Sequence, residues 1–173
     1  MNILTTGVAG SGKSSIASEL ASLSYNVLDD KTAPDGMGLW FSKDGSILGH
    51  SIYDMIKARA SGGSWGWDEA KLQDFLATRS TANIVCGHWS GMDEYLPKFD
   101  SIIYLHATPQ TINDRLGKRP FGYGFYPSER KKVLADISKL EQKLQKYNPI
   151  KINANQPLAE VVKDVDAAIQ LVL

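Results

Sequence analysis

Apolar positions along the chain follow two rhythms. Short runs at 2–6 (Asn-Ile-Leu-Thr-Thr), 25–29, 83–87, 101–106 (Ser-Ile-Ile-Tyr-Leu-His) and 150–153 predict strands. Between them the apolar residues recur at helical spacing. Ile16, Leu20 and Leu23, with Ala17 and Ala21 beside them, predict a helix starting after Lys13. Ile52, Met55 and Ile56 predict a helix near 50–60, which Gly62-Gly63-Ser64 breaks. Asp68 as N-cap predicts a helix over 69–78, with Ala70, Leu72, Phe75 and Leu76 inward. Pro109 suits the first turn of a helix over about 108–118. Ser128 opens a long helix with Val133, Ile137, Leu140, Leu144 and Tyr147 on one stripe. A final helix carries Leu158, Val161, Val162, Val165, Ile169 and Val172. Residues 30–50, rich in Gly, Asp, Lys and Pro, read as an irregular excursion.

Strands that alternate with helices predict an α/β fold, a three-layer sandwich with a parallel sheet covered on both faces. A chain of 173 residues is one domain, long enough to bury a core without staples. Nineteen basic residues balance nineteen acidic ones, so nothing in the overall charge points to a nucleic acid partner. The one cysteine, Cys86, lies in an apolar run and reads as a small buried hydrophobe; no intrachain disulfide or Cys/His zinc spacing exists. No stretch has the length of a bilayer span, and the start lacks the basic and apolar regions of a secretion signal. The expected location is the cytoplasm, with no membrane partner.

The chemistry begins at residue 7. Gly7-Val8-Ala9-Gly10-Ser11-Gly12-Lys13-Ser14 fits G-x-x-x-x-G-K-[ST], the P-loop or Walker A motif, between an apolar strand and an amphipathic helix. Glycines let successive backbone N–H groups turn inward around phosphate oxygens, and the helix dipole adds positive potential. The expected ligand is ATP with Mg²⁺. Gly7, Ala9, Gly10, Ser11, Gly12, Lys13, Ser14 and Ser15 would hold it. Lys13 reaches the β and γ phosphates, Ser14 places a hydroxyl on Mg²⁺, and Ser15 meets the α phosphate.

Around this loop the chain resembles the small P-loop kinases: nucleoside monophosphate kinases, shikimate kinase and gluconate kinase. The resemblance rests on the motif at residue 7, on Asp29-Asp30 after the second strand, on Asp114-Arg115-Leu116-Gly117-Lys118-Arg119 before a short loop and long helix, and on Ile152-Asn153-Ala154-Asn155-Gln156-Pro157 leading into the last helix. It implies a five-stranded parallel sheet of order 2-3-1-4-5, with ligands at the strand C-termini. It also implies one kinase-like domain over 1–173, with an acceptor-side insertion at about 31–67 and a short lid at about 119–127. Arg115 and Arg119, four residues apart on one helical face, would offset charge in the phosphoryl transition state. The turn at Asn155 would hold adenine through backbone contacts. Asp29 and Asp30 would divide two tasks, one assisting the acceptor hydroxyl and the other holding Mg²⁺, the latter assigned to Asp29.

One departure concerns the acceptor. The third strand ends Cys86-Gly87-His88-Trp89, with no acid where a Walker B carboxylate would stand. His88 and Trp89 therefore become candidates for the acceptor pocket, as does Arg59 for an anionic acceptor. Trp65-Gly66-Trp67-Asp68 either covers that site or anchors the next helix. The expected activity is transfer of the ATP γ-phosphate to a small-molecule acceptor, a nucleoside monophosphate or a hydroxylated metabolite. The alternative is a nucleotide-binding regulatory NTPase module with no such acceptor; end phosphorylation of RNA or DNA is a third reading. Either a monomer or a homodimer fits.

Overall fold

The computed structural model describes residues 1–30, 36–120 and 122–173. Residues 31–35 of the expected insertion and Phe121 of the expected lid lie outside that description. In chain order the first elements are β1 (Asn2–Thr6), α1 (Lys13–Ser22), β2 (Asn26–Leu28), β3 (Gly38–Phe41), β4 (Ile47–Gly49), α2 (Ile52–Ser61) and β5 (Ser64–Trp67). Then come α3 (Glu69–Leu76), β6 (Asn83–Cys86), α4 (Met92–Tyr95), a 3-10 turn (Leu96–Lys98) and β7 (Ser101–His106). The chain ends with α5 (Pro109–Gly117), α6 (Pro127–Gln145), β8 (Ile150–Asn153) and α7 (Leu158–Val172).

Five strands pair in the order β2-β6-β1-β7-β8, all parallel. Numbered within this sheet alone, that is the expected 2-3-1-4-5. Ile3, Leu4, Ile84, Val85 and Ile103 are wholly buried in it. That is what continuous apolar runs require when helices cover both faces. α1 buries Ile16, Ala17 and Leu20, while α6 buries Val133, Ile137, Leu140 and Leu144, the stripe expected of it.

The region read as irregular differs. Residues 38–41 and 47–49 are strands, and with β5 they form a second, antiparallel sheet of order β4-β3-β5. Its hairpin turns at Gly45, with φ +86°, after Asp44. An Asp-Gly pair is a hairpin signal the periodicity reading passed over. The partner of β3 on its other edge is β5, more than twenty residues on, which no local pattern announces.

α2 is also corrected. Ile52 and Ile56 are 65% and 56% exposed rather than turned inward, and Ala58 is the residue it buries. Ala70 of α3 is exposed as well, and that helix ends at Leu76. α5 ends at Gly117, so Arg119 stands just past the helix rather than on its face; its N–H bonds back to the Leu116 carbonyl at 3.3 Å.

The small sheet joins the parallel sheet where β6 ends. Gly66 bridges Ser90, and the Ser90 N–H donates to the Trp65 carbonyl at 3.3 Å. Trp67 and Trp89 stack with centroids 4.5 Å apart and planes within 6°. A Cβ on Gly87 would fall 2.5 Å from the Trp67 ring, so a side chain there would wedge the two sheets apart. Asp68 caps α3, accepting from the Ala70 and Lys71 N–H groups at 3.0 and 3.2 Å, in line with the anchoring role for this segment.

Candidate phosphate-binding site

β1 ends in the middle of the sheet and the chain turns at once through the glycine loop into α1. Gly10 and Gly12 have φ +87° and +104°, a conformation L side chains avoid. Gly7 is needed for another reason. A Cβ there would sit 2.6 Å from Ser11 Oγ and 2.8 Å from the Leu105 carbonyl oxygen. The loop thus lies flat on β7 with the Ser11 hydroxyl tucked beneath it, buried and without a hydrogen-bond partner.

α1 begins without a side-chain cap. The Ser15 N–H donates to the Gly12 carbonyl at 3.0 Å, while the Lys13 and Ser14 N–H groups before it have no carbonyl within the helix to bond, as helix geometry dictates. Lys13 Nζ donates to the Gly7 and Val8 carbonyl oxygens at 2.7 and 3.0 Å, inside the loop's own curve. Burial, reinforced by repulsion from Arg119, lowers the Lys13 pKa to about 8. The two positive charges repel across the loop, and a polyanion bound there would relieve that repulsion. Arg119 is exposed, and desolvation lowers its own pKa.

Arg115 faces another way. Its Nη2 donates to the Ala154 carbonyl at 2.8 Å and its Nη1 to the Gly10 carbonyl at 3.4 Å. It therefore ties the P-loop to the turn after β8. That turn is held further by Asn155, whose Oδ1 accepts from the Thr108 N–H at 2.9 Å. Ser14 and Ser15 are exposed on the first turn of α1. With Asp29, which is buried at the end of β2, they line an open cleft of about 750 Å³. Oxygen donors such as Ser14 and Asp29 suit a hard cation that also binds phosphate. Among the described residues no group of three or more His, Cys, Asp or Glu side chains converges as a metal cage. The uncapped helix, the curved loop and this donor pair fit a magnesium–triphosphate ligand.

Asp30 is exposed at the edge of the same region. His88 lies beside the loop. Burial, and after it the Lys13 charge, pushes its pKa down to about 4, so the imidazole is neutral at physiological pH. Its Nδ1 is buried without a well-formed hydrogen bond. Trp89 is only 5% exposed and packs between Trp67 and the edge of Tyr95. One face of the Trp89 ring, a candidate for the acceptor pocket, is thus taken by another tryptophan. Arg59 pairs with Glu129 at 2.7 Å. Cys86 is buried, as expected, and desolvation pushes its thiol up to about 12. A second cavity, about 560 Å³, opens between the small sheet and α3, lined by Gly36, Gly38, Leu39, His50, Asp68 and Lys71. The sequence reading missed His50, Lys71 and Glu129, because each reaches its place through contacts between distant segments.

A strand, a glycine loop and an uncapped helix at the centre of a parallel sheet define a P-loop protein with the fold of the small P-loop kinases. The chain belongs to the AAA domain family, whose model it matches over residues 3–122. No curated protein sequence matches it significantly. Among solved structures it is similar to a deoxyadenosine kinase from M. mycoides with bound dATP, 15% identical over 98% of this chain and 99% of that one, TM-score 0.60. It is also similar to a shikimate kinase from Acinetobacter baumannii in complex with shikimate, 18% identical over 98% and 92% of the two chains, TM-score 0.58. A gluconokinase from Sinorhizobium meliloti 1021 is 20% identical over 94% and 87%, TM-score 0.55. At these identities the likeness is one of fold. Among the described residues no helix is long and apolar enough to cross a membrane.

Proposed function

We propose that the chain is an ATP-dependent phosphotransferase that moves the γ-phosphate to a small-molecule acceptor, a nucleoside monophosphate or a hydroxylated metabolite. The observation that carries this reading is the glycine loop curled around the Lys13 ammonium at the uncapped start of α1. The backbone N–H groups of the loop bind the phosphates. Lys13 leaves the Gly7 and Val8 carbonyls for the β and γ phosphates. Arg119, exposed and free of the helix, gathers charge in the transition state. Arg115 keeps the adenine-side turn at Asn155 in register with the loop. Ser14 and Asp29 would hold Mg²⁺, which would supply charge neutralisation at the phosphate oxygens. Asp30 and the neutral His88 face the acceptor. Trp89, packed between Trp67 and Tyr95, braces that side from within, and Arg59, paired with Glu129, stands at its outer edge for an anionic acceptor.

The region from 31 to 67 serves as the acceptor-side insertion and 119–127 as the lid, within a single domain working in the cytoplasm. The test is ADP release from purified protein, ATP and Mg²⁺ across a panel of nucleoside monophosphates, nucleosides and sugar acids. One class of acceptor should raise turnover at least tenfold over hydrolysis. ATP binding with no acceptor stimulating turnover would favour a regulatory module instead.

A further inference from the structure

Glu129, in the first turn of α6, receives two partners from outside its own helix. Arg59 Nη2, on α2, lies 2.7 Å from its Oε1. The Gly124 N–H donates to its Oε2 at 3.0 Å. The Glu129 side chain is 14% exposed and that of Arg59 is 40% exposed. A carboxylate so withdrawn from water depends on its ion pair and hydrogen bond to offset lost solvation. Gly124 can offer its N–H because it holds φ +91°, and its turn is pressed on α5, where a Cβ would lie 2.9 Å from Leu116. Gly117, at the end of α5, lies against Arg130, the neighbour of Glu129. Tyr123 is close enough to this pair that Glu129 and Arg59 act on its hydroxyl in opposite senses.

The geometry points to Glu129 as a positioning residue of the transfer site: one carboxylate couples the placement of α2 in the insertion to that of the turn following Arg119. Its catalytic consequence rests on the phosphotransferase reading; the contact itself does not. With both oxygens engaged, loosening Arg59 loosens Gly124, although these two residues share no bond of their own.

Amide hydrogen exchange on the full chain without ligand tests the coupling. Arg59→Ala and Glu129→Gln should each speed exchange at Gly124 about tenfold, the first by releasing the carboxylate that accepts its N–H and the second by removing the charge that strengthens that bond. The double variant should exchange no faster than Glu129→Gln, and Arg59→Lys should recover part of the protection. Wild-type exchange at Gly124 in Arg59→Ala, or additive effects in the double variant, overturns the coupling. For the catalytic part, Glu129→Gln should lower ADP release from ATP alone about tenfold through misplaced Arg119, with the calorimetric Kd for ATP within twofold. Unchanged turnover overturns that part. If wild-type protein does not bind ATP, the phosphotransferase reading fails on its own account, and the exchange result still decides the coupling.

Discussion

α1 and α2 are each ten residues long and are held in opposite ways. α1 buries Ile16, Ala17 and Leu20 and leaves its N-terminus without a side-chain cap. α2 leaves Ile52, Tyr53 and Ile56 more than half exposed and buries only Ala58. Its ends are closed instead: Ser51 and Asp54 form a capping box, and Gly62 ends it with φ +72°. Burial secures the first helix, so its free N–H groups remain open to an anion. Capping secures the second, which leans on its own ends and on the Arg59–Glu129 contact. The phosphate loop is thus built from backbone on a buried frame, and the region around α2 from side chains on a lighter one.

The largest expected effect tests whether the two sides are energetically separate. Trp67→Ala removes one ring of the stack where the small sheet docks and should destabilise the protein by about 3–5 kcal/mol in denaturant unfolding. The calorimetric ATP affinity of the folded fraction should stay within a few-fold. A matching loss of affinity would show the sides to be one unit. Lys13→Ala should act the other way round. Affinity should fall on the order of 100-fold, roughly 2–3 kcal/mol, with no loss of stability, because the lysine is a desolvated cation in the free loop.

A smaller effect comes with pH. Lys13 has a native pKa lowered from 10.5 to about 8. Between those values the unfolded chain holds the extra proton, so this group makes ligand-free stability rise as pH increases through the window. Bound phosphate favours the charged lysine. ATP affinity should therefore decline above about pH 8, with proton uptake visible by calorimetry in buffers of different ionisation enthalpy. The flat profile of Lys13→Ala in the same window is the control. Smallest of all, Ile56→Ser on the exposed face of α2 should shift stability by no more than about 0.5 kcal/mol. A loss of several times that would mean that the face is covered in solution.

The strand runs at 2–6, 101–106 and 150–153 were legible to the residue, because each short run is bounded by a turn or by the start of a helix. The P-loop was legible because its function needs glycine at fixed spacing, whatever lies elsewhere. α2 misled because an apolar stripe at helical spacing predicts a helix but not a neighbour to cover it. β3 and β4 were hidden by the same polar, glycine-rich composition that makes a good hairpin turn. The pair at Asp29 and Asp30 was legible as acids at a strand end, whereas their unequal burial depends on how β2 meets α1. Trp89 was placed at the right edge of the sheet, yet its stacking partner, Trp67, comes from a sheet no periodicity described.

By itself the sequence determined the parallel sheet, the helices that cover it and the phosphate cradle, since each depends on residues adjacent in the chain or on a repeating pattern of burial. Only the tertiary structure decided that Arg115 ties two backbone segments while Arg119 stands free, that Trp89 is packed away, and that Glu129 joins α2 to the turn at Gly124. Those outcomes depend on which side chains the packed fold holds within about 3 Å of a shared partner. Distances between segments far apart in sequence set that, and no local pattern encodes them.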